Sequence, residues 1–162
     1  MSEPFSLSIK SVIKKLNSNT NYGLTESEVK QRIKKYGKNE IATKNWIEKS
    51  IKNEALSPGE LSFIFCSDDH ILKINKDYLQ HDFYTDIITF DYREGNTISG
   101  DIFISVDRVL ENASTLSLPF SEEIDRVLIH GVLHIMGYKD KTPEEESLMR
   151  RKEDFYLSLR TI

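Results

Sequence analysis

Val127-Leu-Ile-His-Gly-Val-Leu-His-Ile-Met136 is the stretch on which the fold turns. Read as a helix, it is apolar around nearly its whole circumference, as a helix at the centre of a domain is. His130 and His134 are its only polar side chains. Four residues apart, they share one face with ~5–6 Å between Cβ atoms, a spacing that lets two imidazoles converge on one metal ion. Without a metal, each would need a hydrogen-bond partner or cost about 1–3 kcal/mol. One ion satisfies both.

The residues that follow extend the pattern. Gly137 can adopt the left-handed conformation that reverses the chain, and Tyr138-Lys-Asp140 then returns a carboxylate toward the imidazoles. Two histidines and Asp140 make three protein ligands and leave a fourth position for water, the arrangement of a catalytic zinc site. Water bound there can lose a proton near neutral pH and become a nucleophile. The zinc metalloprotease reading fails, because the glutamate base those enzymes carry after the first histidine is here Gly131.

Upstream, a helix carries Trp46, Ile47 and Ile51 from near Thr43 and ends at Ser57-Pro-Gly59. Leu61–Ser67 reads as a strand, and Asp68-Asp69 caps a helix through Leu79. Asp86–Asp91 and Ile98–Ser105 read as a hairpin around Arg93-Glu-Gly-Asn96, followed by a helix from Val106 to Leu116. Ser121-Glu-Glu opens the histidine helix, and Thr142 caps the last helix with Pro143 in its first position. The expected fold is α+β: a small mixed β-sheet packed with several helices around the histidine helix. A basic helical hairpin precedes it, with Thr25 and Glu28 as its capping box.

The 162 residues suit one domain with a small appendage, and no apolar run or leader points to a membrane, so a cytoplasmic protein is expected. The single cysteine, Cys66, excludes a disulfide framework and reads as a buried inert thiol. The net charge of −4 divides unevenly: residues 1–44 carry nine Lys/Arg and four Asp/Glu, net +5, and the rest carry net −9. Two unlike pieces are joined near residue 43.

Several motifs in the second piece occur together: His130-Gly-Val-Leu-His134-Ile-Met-Gly137-Tyr138-Lys-Asp140, Asn75-Lys-Asp-Tyr78, Asp82, Thr85-Asp86-Ile-Ile-Thr-Phe90 and Gly100-Asp101-Ile102. Over about Lys44 to Arg160 the chain resembles the YbeY family of bacterial metal-dependent endoribonucleases, which act in ribosomal RNA maturation. The resemblance implies a single-strand-specific nuclease acting at the 16S 3′ end and in ribosome quality control. Its partners would be ribosomal RNA and the small ribosomal subunit, with no DNA expected. It also implies one Zn²⁺ per chain on His130, His134 and Asp140, with His130 and His134 catalytic. Asp140 stands where most members have a third histidine, and a carboxylate there favours a harder metal. Leu79 stands where many members have an arginine thought to contact RNA. Lys139, Lys141 and Arg126 are near enough in sequence to hold phosphate in its place, though each reads equally as solvated charge. Asp86 and Asp101 either orient ligands from behind or close turns on backbone N–H groups. His70 and His81 read as surface residues.

Residues 16–41 resemble instead the N-terminal helical segment of P-type cation-transporting ATPases. No spans or phosphorylation motif follow, so that likeness lends no transport function. Two other activities compete with the nuclease. One is a ribosome-associated binding factor with a structural metal, consistent with Leu79 and the acidic second piece. The other is a metallohydrolase of small phosphoesters or peptides.

Overall fold

The computed structural model describes residues 38–160, so the expected hairpin within residues 1–43 lies almost entirely outside the described residues. The chain divides into two compact units, Met1–Thr43 and Lys44–Ile162. The elements, in order, are α1 (Lys38–Asn53), β1 (Ser57–Cys66), α2 (Asp68–Leu79), β2 (Ile87–Asp91), β3 (Thr97–Ser105), α3 (Val106–Leu116), α4 (Phe120–Ile135) and α5 (Pro143–Ser158). This is the expected α+β arrangement. A three-stranded sheet in the order β1-β3-β2 has β1 parallel and β2 antiparallel to β3.

Two boundaries differ most from expectation. Helix α1 starts at Lys38 rather than near Thr43, and β1 begins at Ser57, taking in the Pro58-Gly59 pair that reads as a helix stop. Pro58 is tolerated because β1 is an edge strand, where a missing N–H breaks no ladder, and a register shift between Pro58 and Leu61 absorbs the irregularity. The cap of α2 is Ser67, whose hydroxyl accepts from the His70 N–H, while Asp68 and Asp69 fill the first turn and favour the helix dipole. Helix α5 starts as read, with Thr142 as cap and Pro143 in the first turn.

Helix α4 lies at the centre. Val127, Leu128, Ile129, Val132, Leu133 and Ile135 are all buried, packed with Ile98, Ile102 and Ile104 of β3 and with Met149 and Tyr156 of α5. Alternation along β3 turns Ile98, Ile102 and Ile104 into this core. Gly131 sets how closely helix and sheet approach. A Cβ there would lie 2.6 Å from Ile87 Cδ1 and 2.9 Å from Ile102 Cγ2. The position therefore faces the sheet, and a glutamate base could not reach the histidine face from it. Gly131→Ala is expected to destabilise the fold in urea titrations, since overpacking costs roughly 1–3 kcal/mol against about 1 kcal/mol gained in helix propensity. An unchanged midpoint would show that Ile102 gives way.

A polar knot ties the ends of the unit together. Glu54, just beyond α1, accepts from Tyr138 Oη at 2.8 Å, from Lys152 Nζ at 2.6 Å and from the Tyr156 hydroxyl. The Trp46 indole N–H donates to the Tyr156 carbonyl at 2.8 Å. Burial pushes the Glu54 carboxyl up, but these donors outweigh it and hold the group below its ordinary 4.5. A depressed carboxyl stabilises the fold above its unfolded value and loses that contribution as pH falls through its folded one. Glu54→Gln is thus expected to destabilise the protein at neutral pH, with the difference from wild type shrinking below pH 4.5. A gap that stays constant from pH 7 to 3 would deny the knot this role.

Cys66 is half-buried rather than buried. Its Sγ lies 3.5 Å from the Ile104 carbonyl, and burial together with Asp107 and Asp68 pushes the thiol up, away from reactivity. No described helix is long and apolar enough to cross a membrane.

Candidate active site

The site is built by the C-terminal half of α4 and the turn after it. Gly137 has φ +102°, a left-handed backbone that a side chain would strain, and it turns the chain so that Asp140 comes back over the histidines. His134 Nε2 lies 3.0 Å from His130 Nε2, and Asp140 Oδ2 lies 3.4 Å from the first and 3.7 Å from the second. Among the described residues, these three form the group of histidine, cysteine and acidic side chains able to share a metal ion.

The remaining ring nitrogens have partners of their own. His130 Nδ1 is 2.7 Å from Glu153 Oε1, and His134 Nδ1 is 3.0 Å from the Tyr138 carbonyl. Both partners accept only, so each Nδ1 carries a proton, and in the neutral ring each Nε2 presents a lone pair. With both rings neutral, two lone pairs and a carboxylate oxygen face one another. That is a repulsive arrangement unless a cation joins it. A tetrahedral zinc with bonds of ~2.0–2.1 Å holds its ligand atoms roughly 3.3 Å apart. The observed 3.0, 3.4 and 3.7 Å bracket that value, so these side chains fit a zinc-like ion. Burial, then the neighbouring His130, pushes the His134 imidazole down, toward the neutral form a ligand needs.

Glu153 was not among the residues singled out from the sequence. It is 4% exposed on α5, with Oε1 on His130 and Oε2 on Arg126 Nη1 at 3.0 Å. Burial pushes its carboxyl up, yet His130 and Arg126 hold it below the ordinary range. Arg126, expected near phosphate, is thereby committed to Glu153 and to Asp154, also at 3.0 Å. Its guanidinium opposes the effect of burial on Glu153 and favours the ionised carboxylate.

The other expected residues separate. Asp86 lies in the wall between two compartments of the cleft and accepts from Asn112 Nδ2 at 3.2 Å. Asp101 does not reach the site. It alternates with the inward Ile102 and so falls on the opposite face of β3, where Tyr92 Oη bonds it at 3.2 Å. Lys139 and Lys141 are exposed and line neither compartment.

One compartment, about 330 Å³, is bounded by the three candidate ligands, Asn75, His81 and Phe83. His81, read as a surface residue, is exposed but stands on this rim, stacked on Phe83 with centroids 5.1 Å apart and planes 22° apart. Asn75, 2% exposed, fixes the rim by donating to the Phe83 carbonyl at 2.9 Å. The signal for such a loop in a lone sequence is weak, because Asn75 and Phe83 meet only once α2 and the loop have folded together.

Comparison with known proteins gives this geometry a family. The family profile described as Endoribonuclease YbeY matches residues 17–160, starting inside the basic first segment. The curated Endoribonuclease YbeY of Christiangramia forsetii is 56% identical over 116 residues, covering 72% of this chain and 81% of the relative. That of Cytophaga hutchinsonii is 50% identical over 137 residues, covering 84% and 90%. Among solved structures, the solution structure of TM1509 from Thermotoga maritima superposes with a TM-score of 0.57 at 29% identity, covering 76% of this chain and 82% of that one. With a profile match over most of its length and relatives at half identity or better, the chain belongs to the YbeY endoribonuclease family.

Proposed function

We propose that this protein is a single-strand-specific, zinc-dependent endoribonuclease that matures ribosomal RNA at the 16S 3′ end and serves ribosome quality control in the cytoplasm. The observation that carries the reading is the convergence of His130, His134 and Asp140 with both Nδ1 atoms already occupied, in a chain of an endoribonuclease family. When bound, the ion would polarise a phosphodiester oxygen and lower the pKa of an attacking water. The chain's own residues do the rest. His130 and His134 are oriented by Glu153 and the Tyr138 carbonyl so that each Nε2 faces the ion, and Asp140 supplies a carboxylate oxygen. The exposed Phe83 and His81 rings offer a stacking face for an unpaired base, which a duplex cannot present.

The active piece is read as residues 44–162 and the basic residues 1–43 as an appended arm. No transport role is proposed for the arm, whose residues from 17 onward fall within the family match. Its net charge of +5 supports a part in recruiting RNA to an otherwise acidic chain. Replacing Lys14, Lys15, Lys34 and Lys35 by glutamine is expected to flatten the dependence of RNA affinity on salt. An unchanged slope removes the arm from binding.

The deciding experiment is cleavage of single-stranded and duplex RNA by the full chain, zinc-loaded and chelator-treated, with ribosome profiles of cells lacking the gene. Cleavage confined to single strands, restored by zinc, with 16S precursors extended at the 3′ end in those cells, is the expected result. Protein that co-sediments with small subunits but cuts no RNA would favour the binding-factor reading.

A further inference from the structure

The cleft has a second compartment that the metal chemistry does not use. It measures about 430 Å³ and shares His130, Asp140 and Asp86 with the first, and its remaining wall includes Asn112, Thr115 and Glu123. Glu123 is 4% exposed, and its Oε2 has no hydrogen-bond partner. A carboxyl oxygen in that position costs free energy until a hydrogen-bond partner arrives. Burial pushes the carboxyl up; Arg126 and a hydrogen bond from Asn112 only partly oppose it, as expected of a carboxylate short of donors.

The chemistry of the walls narrows the occupant. A phosphate is disfavoured, because Asp86, Glu123, Asp140 and Glu146 all face the space, and the nearby guanidiniums of Arg126 and Arg150 are paired with Glu153, Asp154 and Glu146. A second divalent cation is disfavoured too. Among the described residues, the acidic side chains here do not come together as a ligand group beyond the one formed with His130 and His134. A neutral hydrogen-bond donor remains. RNA supplies one in the exocyclic amino groups of adenine, cytosine and guanine, whereas the single N–H of uracil's pairing edge is flanked by two carbonyl oxygens that a carboxylate repels. Shared walls at His130 and Asp140 put any occupant next to the reacting phosphodiester.

We propose that this compartment receives the base of a nucleotide adjoining the cleaved bond, and that Glu123 reads its amino group and selects against uracil. The inference rests on the endoribonuclease reading above and assigns its substrate preference to a residue outside the metal site. No covalent step is involved.

The test uses full-length, zinc-loaded protein and labelled single-stranded oligoribonucleotides in which each position beside the cleaved bond is A, C, G or U in turn. At one position, amino-bearing bases are expected to exceed uracil in kcat/KM by about tenfold or more, the discrimination typical of one base-edge contact. Glu123→Gln should change the base order at that position. Thr115→Trp, placed on the exposed rim and leaving Glu123 intact, should reduce cleavage of the favoured sequences to the uracil level. Equal rates for all four bases, or a preference unaltered in both variants, would overturn the proposal. Fluorescence anisotropy on the same oligonucleotides separates the two readings. Wild type that cuts nothing but still binds amino-bearing sequences more tightly sinks the nuclease and keeps the base site, and equal affinity for all four sinks the base site.

Discussion

His134→Ala is expected to leave protein that purifies without stoichiometric zinc and does not cut RNA above background. The size of the effect follows from the geometry. His134 Nε2 lies 3.0 Å from His130 and 3.4 Å from Asp140, so it is central to the candidate set, and its removal leaves two donors. Loss of a mere outer partner of a zinc ligand costs about 10–100-fold in affinity. Loss of the ligand itself must exceed that, and at least about a hundredfold is expected. Two measurements check it: metal content after chelator-free purification, and zinc affinity by competition with a chromophoric chelator. The variant should remain folded when zinc-free, because the removed imidazole is a quarter exposed and Leu133 and Ile135 beside it are unchanged. His134→Ala that keeps a full equivalent of zinc would show that the ion, if any, sits elsewhere. A metal that disappears while cleavage continues would trace the cleavage to a contaminant.

The local parts of this site are legible in the sequence for a physical reason. Helical spacing fixes that side chains at positions 130 and 134 share a face, and a glycine two residues beyond α4 is the ordinary way to reverse a chain. The convergence of His130, His134 and Asp140 therefore needs only eleven consecutive residues. Glu153 is different. It lies on another helix, and in sequence it belongs to a charged run, Arg150-Arg-Lys-Glu-Asp154, that reads as solvated surface. The available signal was its spacing from Met149 and Tyr156, which puts a carboxylate on the buried stripe of α5, where one is unexpected without a partner. Glu123 was hidden similarly, since an acidic residue in the first turn of a helix has a sufficient explanation in the helix dipole. The placement of Asp101 is legible in the sequence. Period-2 alternation with Ile102 and Ile104 already assigned it to the outer face of β3. The limits of α1 and β1 were set by tertiary context, the edge position of β1 cancelling the stop signal of Pro58-Gly59.

Glu153→Ala is expected to act in two ways that separate experimentally. It removes the acceptor of the His130 Nδ1 proton, freeing the ring to rotate or to exchange tautomers, and zinc affinity should fall about 10–100-fold. It also breaks a buried ionic contact to Arg126, which keeps only the exposed Asp154 as partner, so stability should fall by about 3 kcal/mol. If the loss of zinc were only a consequence of instability, Arg126→Met, which removes the other half of the same contact, would lower zinc affinity equally. The geometry predicts otherwise. In Arg126→Met, Glu153 Oε1 still faces His130 at 2.7 Å, so affinity should fall less than in Glu153→Ala even where the two variants unfold at similar urea concentrations. Glu153→Gln provides the third point. It retains an oxygen to accept from His130 but loses the charge, and it should fall between the other two in zinc affinity. Equal affinity in all three variants and wild type would mean that His130 is oriented by its packing on α4 alone. A graded series would show that the ligand is set from α5, the element whose sequence gave the least warning of it.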